Sequence, residues 1–122
     1  MPVFCANDCP AVRLPDPERH YMNFIALFFA GAFLCNCIPH LACGLRGEYF
    51  PTPFAKPRGI GLSSPLLNFI WGAANVATSS VILIRRGLPT TVGPELLAIV
   101  AGFVVMGVYL SIHFEKTRRQ SK

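Results

Sequence analysis

Three stretches of this chain carry no Asp, Glu, Lys or Arg: Met22 to Leu45, Gly59 to Ile84, and Leu96 to Phe114. Each is longer than the ~18 residues that mark a membrane-spanning candidate. At about 1.5 Å of rise per residue, a helix over any of them crosses a hydrocarbon core of roughly 30 Å. The chain has 122 residues, 52% hydrophobic and 14% charged, against about 25% charged in an ordinary soluble domain. So short a chain cannot bury three helices that are apolar all round, and lipid is the solvent that suits them. The expected fold is an all-α membrane protein of three transmembrane helices, with a Pro/Gly-rich interfacial loop between the first two.

Local signals set the edges. A polar amino-terminal segment (1–21) leads into Asp16-Pro17-Glu18, where Asp caps free N–H groups, Pro is pre-set for the first turn and Glu complements the helix dipole. Ser64-Pro65 and Pro94-Glu95 open the other two helices in the same manner. The predicted spans are about 22–42, 64–85 and 94–114, followed by a basic tail (115–122) expected to fray. Pro39 removes a backbone donor, so the first helix is expected to kink or stop there. Arg85-Arg86-Gly87 supplies cations and a glycine for the end of the second. The short connection Leu88 to Gly93 predicts that helices two and three are antiparallel neighbours. In the first loop, Pro51 and Pro53 alternate with aromatics. This predicts an extended segment at the membrane surface, anchored by Tyr49, Phe50 and Phe54.

A cleaved signal sequence is the rival reading of the first span, but the long, acid-containing segment before it is unlike a basic leader. Seven cations fall on the side of the first loop and tail, and four (Arg13, Arg19, Arg85, Arg86) on the other. Positive-inside bias then puts the amino terminus outside and the carboxyl terminus in the cytoplasm. The net charge of +5 sits at the ends of apolar runs without interleaved aromatics. It therefore points to lipid head groups and away from nucleic acid.

Few residues have chemistry to offer. No nucleophile elbow, phosphate loop or paired carboxylates occur, so no catalysis is expected and no cofactor is called for. Asn68, Trp71, Gly72 and Asn75 recur on one stripe of the second span, and asparagine amides in lipid need partners. Such a stripe serves interhelical packing or a polar path; Asn36, Pro39 and His40 at the expected break in the first helix are the side chains that would face it. Gly72 and the pair Ala98 and Gly102 are small-residue packing faces. Cys35, Cys37, His40 and Cys43 offer soft-metal ligands, but their spacing matches no metal motif and cysteine is also a good apolar residue. Cys5 and Cys9 could pair on an oxidising side. His20 and His113 lie at opposite ends and cannot share a cofactor within one chain.

The segments Asn36-Cys37-Ile38-Pro39-His40, Phe50-Pro51-Thr52-Pro53-Phe54 and Leu62-Ser63-Ser64-Pro65, with Asn68, Trp71-Gly72 and Asn75, resemble a group of small bacterial multi-pass membrane proteins of unknown function. The resemblance covers about residues 22 to 84. It implies a bacterial inner membrane and no particular activity. The expected role is a structural or accessory subunit, partnered by the bilayer and by other membrane-protein subunits or itself. The alternatives are an oligomeric transporter or channel protomer with an Asn/His-lined path, and a metal- or redox-handling protein using the cysteines.

Overall fold

The computed structural model describes residues 16–120; Cys5 and Cys9 lie outside the described residues. Helix α1 spans Pro17–Leu45, α2 spans Pro65–Arg86 and α3 spans Pro94–Gln120. All three are long and apolar enough to cross a membrane. Between α1 and α2, strands β1 (Phe50–Pro51) and β2 (Leu62–Ser63) pair antiparallel, with Phe50 opposite Ser63.

The caps explain the helix starts. The Asp16 carboxylate accepts from Glu18 N at 3.1 Å, with Pro17 in the first turn. Ser64 Oγ accepts from Leu67 N at 3.3 Å, with Pro65 next to it. Each satisfies one of the N–H groups a helix start leaves without a partner.

Two expectations for helix ends are corrected. First, α1 does not stop at Pro39; it continues to Leu45. A proline removes only its own donor, and the following turn is held by a strong stop signal further on. Gly47 takes φ +72°, Gly47 N donates to Gly44 O at 3.2 Å and Glu48 N donates to Cys43 O at 2.9 Å. That pair of bonds is the Schellman arrangement, for which glycine at the left-handed position is suited. Arg46 and Glu48 then form a two-pronged ion pair, 3.0 and 2.8 Å. The Arg46 hydrogen bond holds the Glu48 carboxyl below the usual carboxylate range. Its small contribution is present above the ordinary carboxylate pKa and is lost as pH falls through the lowered value. Second, the charged tail does not fray at Glu115. It stays helical to Gln120, with Arg119 donating to Glu115 one turn back at 2.6 Å and cations at the helix's negative end.

The arrangement of helices also differs from expectation. Helix α1 is central and packs against both α2 and α3, whereas α2 and α3, though joined by a short loop, share no comparable contact. Loop length sets which ends are near one another; the helix surfaces decide which faces meet. Glycines decide it here. A Cβ on Gly31 would strike the Ile99 carbonyl of α3, and one on Gly102 would strike the Phe28 carbonyl of α1. The two glycines let the α1 and α3 backbones touch, as small residues do at close helix crossings. Gly72 and Gly44 do the same for α1 and α2: a Cβ on Gly72 would lie 2.7 Å from Leu41 Cγ, and one on Gly44 would lie 2.7 Å from Phe69 N. Ala98 is half-buried on the face of α3 that carries Gly102. Ser79 reinforces the α1–α2 contact by donating to Ala30 O at 2.9 Å. Burial of Ala30, Gly31 and Ala32 in succession follows from α1's position between two helices.

The loop is not extended throughout, though most of residues 53–62 lie on the surface. The β1–β2 pair folds it back, Thr52 and Ser63 join their hydroxyls, and Thr52 is buried. Phe50 is no outward anchor: its ring lies 5.5 Å from the His40 ring and 4.5 Å from the Phe114 ring. Tyr49 and Phe54 do face outward.

Replacing Gly102 or Gly31 by Leu forces the α1–α3 crossing apart and is expected to destabilise the protein by about 1–3 kcal/mol, as overpacking does. Val104→Leu, at an exposed α3 position, is the control and is expected to be neutral. Thermal unfolding in detergent, followed by helical circular dichroism, compares the three; equal stability of Gly102→Leu and Val104→Leu would show that the crossing does not hold α3.

Candidate functional site

Asn68 sits one turn into α2, just past its serine cap, and is fully buried. Its Nδ2 donates toward three backbone carbonyls, Phe50 O at 3.0 Å and Ser63 O and Ser64 O at 3.1 Å each. Three acceptors around one end of the amide fix its orientation, because the reverse would set Oδ1 against carbonyl oxygens. Oδ1 therefore faces His40 Nδ1, at 2.9 Å. A carbonyl oxygen only accepts, so Nδ1 carries the proton. In the neutral ring Nε2 is then an acceptor, and it has no hydrogen bond among the described residues.

One turn deeper, Asn36 Nδ2 donates to Asn75 Oδ1 at 3.0 Å, and Asn75 Nδ2 donates to Trp71 O at 2.7 Å. The Asn36 carbonyl oxygen is left over. Asn36 and His40 are four residues apart on α1, and Asn68 and Asn75 seven apart on α2, so each pair projects from one face. The structure thus brings together Asn36 with Asn75, and His40 with Asn68, and sets Trp71 beside them, its ring 6.5 Å from His40. Pro39, half-buried, lies next to His40 without a role in this network. Gly72 lies against Leu41, and Gly102 lies on the α1–α3 crossing.

The cysteines diverge. Cys37 donates its S–H to Leu34 O at 3.0 Å. Cys43 Sγ lies 3.9 Å from Arg46 Nη2. Cys35 looks toward Gly107 of α3. Among the described residues no cluster of three or more His, Cys, Asp or Glu is placed to hold a metal ion, and His40 has already committed Nδ1 to Asn68.

Beside the network lies a cavity of about 430 Å³, within the ~300–1,000 Å³ range of small-molecule sites. Asn36, His40, Arg58, Trp71, Tyr109 and His113 line it. Trp71 Nε1 is the single buried side-chain nitrogen or oxygen without a hydrogen bond among the described residues. His113 reaches Gly59 O through Nε2 at 2.8 Å, so that nitrogen is the donor. Its ring stacks on Tyr109 at 5.8 Å.

Residue patterns alone did not single out Arg58 or Tyr109, and weighed His113 only as a cofactor ligand with His20. The usable signal was topological. The first loop and the end of α3 fall on the same side of the three-helix layout, as does His40, so His113 belongs with His40 rather than with His20.

Asn68→Leu strips partners from His40 and from buried carbonyls, and is expected to lose stability at the upper end of the ~1–3 kcal/mol typical of an orphaned buried polar group. Hydrogen exchange at residues 50–63 should accelerate with it. Asn75→Leu should weaken the helix pair and leave exchange in the loop unchanged. Thermal unfolding and exchange mass spectrometry on both variants check this; an unaltered loop in Asn68→Leu would contradict the assigned role.

No protein-family model, curated protein or solved structure matches the chain, and its function is therefore read from its own residues.

Proposed function

We propose that this chain is a small multi-pass membrane protein that serves as a structural or accessory subunit of a membrane assembly, without catalysis of its own. The observation that carries the reading is how the polar stripe of α2 is used. Asn68, Asn75 and Ser79 are buried and bonded to α1 or the first loop. A transport path would need such side chains turned to a passing solute; here they fasten helices together. Among the described residues, Cys35, Cys37 and Cys43 face different neighbours and do not gather as a shared metal site would require.

Helix α3 is the face offered to a partner. It is the most apolar of the three and the least buried, with Leu97, Val100, Val104, Val108 and Ile112 exposed. A bacterial inner membrane is part of the same proposal. The excess of cations in the first loop and at the end of α3 favours a cytoplasmic carboxyl terminus.

Tagged protein taken from its native membrane in mild detergent is expected to bring down a stoichiometric membrane-protein partner or a second copy of itself. Substituting Val104 and Val108 together by Trp should abolish that association and leave thermal stability unaltered. A monodisperse lone monomer from every mild extraction would overturn the reading.

A further inference from the structure

The cavity beside His40 is uneven in charge. Among the described residues no Asp, Glu or Lys lines it, and Arg58 is its one permanent cation. Arg58 forms no ion pair among the described residues. Other polar groups of the lining are engaged in holding the fold. His40 gives its Nδ1–H to Asn68, the Asn36 amide nitrogen donates to Asn75, and Thr52 joins its hydroxyl to that of Ser63. His113 donates from Nε2 to Gly59 O at 2.8 Å. That bond also locates the charge. Gly59 directly follows Arg58 in the chain, so Arg58 and His113 belong to the same end of the cavity.

From that end the lining follows α3. Met106, Leu110 and His113 contribute to it at successive turns of the helix, a length of about 10 Å at roughly 1.5 Å per residue. Trp71, Tyr109 and Phe114 add aromatic surface. One end is thus cationic and most of the remainder apolar. An ammonium would be repelled by Arg58 and would find no carboxylate to meet it. A neutral apolar molecule would leave the guanidinium unused. A dianionic phosphate ester would bring one charge more than the lining balances. A carboxylate matches a single guanidinium in charge and in its planar, two-oxygen geometry.

We propose that this cavity binds an apolar monocarboxylate, its carboxylate at Arg58 of the first loop and its body along Met106, Tyr109 and Leu110 of α3. Arg58 is exposed, so water competes for it and the gain from pairing is modest. Neither Val104 nor Val108, the positions that test partner binding, lines the cavity, and the two questions are therefore separable.

Full-length protein in non-ionic detergent micelles is tested by equilibrium dialysis at neutral pH against 4-butylbenzoate, its neutral counterpart 4-butylbenzamide, and 4-butylphenyl phosphate. Uptake by protein-free micelles is subtracted. The expected result is saturable binding of one benzoate per chain, about fivefold tighter than the benzamide, the upper range for an exposed ion pair. Bulk partitioning into micelles runs the other way, since it favours the neutral amide. Arg58→Gln, in an exposed loop position, should abolish the preference for benzoate over benzamide. Lys56→Gln makes the same change of charge two residues away and outside the lining, and should keep the preference. Leu110→Trp fills the apolar part of the cavity and should weaken both compounds, with helical circular dichroism unchanged. Equal affinity for benzoate and benzamide, a preference that survives Arg58→Gln, one that disappears in Lys56→Gln, or benzoate binding unaltered by Leu110→Trp would each overturn the proposal. Tighter binding of the phosphate would overturn the assignment to carboxylates.

Discussion

One amide organises this molecule. Asn68 binds the backbone of β1 through Phe50, the backbone of the turn into α2 through Ser63 and Ser64, and α1 through His40. Three parts of the chain, as near as Ser64 and as far as His40, are thereby held to a single fully buried side chain. Its geometry has a chemical consequence beyond support. Because three carbonyls dictate which end of the amide is nitrogen, the same contact dictates which nitrogen of His40 carries the proton, and so what His40 shows to the neighbouring cavity. Structural satisfaction and the presentation of a free acceptor come from one interaction.

The second organising element is the use of glycine where helices cross. Apolar side chains alone give little reason for helices to associate in lipid, where tails are as apolar as Leu. Gly31 and Gly102 let α1 and α3 meet backbone to backbone, and Gly44 and Gly72 do so for α1 and α2. Helix α1 is consequently the shared partner, and the other two lie against it without packing on each other.

Much of the layout was legible in the residues. The charge-free stretches marked the helices, and the Asp and Ser caps with following prolines marked two starts. The asparagine stripe of α2 was legible because amides at helical spacing in an apolar run stand out. What was not legible depended on through-space relations. Pro39 as a residue type argues for a break, but a helix stop is set by its cap, and the cap lies at Arg46 and Gly47. The short loop before Pro94 argued for α2–α3 packing, yet Gly31, unremarkable in an apolar run, decided that α3 goes to α1. Phe50 read as an anchor by composition, and turned inward because Asn68 holds its carbonyl. The cavity combines His113, Tyr109 and Arg58 with His40, residues from three separate segments that share no periodicity.

The bonds across the α1–α2 pair have a further implication for how the polypeptide holds itself together. His40 with Asn68, Asn36 with Asn75, Ala30 with Ser79, and Phe50 with Asn68 all join residues before position 53 to residues after position 61. The hairpin of α1 and α2 is thus fastened by side chains on both flanks of its connection rather than by the connection itself. In terms of architecture, residues 53–61 are a tether between two parts that already recognise each other, and a chain severed there would be a two-fragment protein with a complete interface.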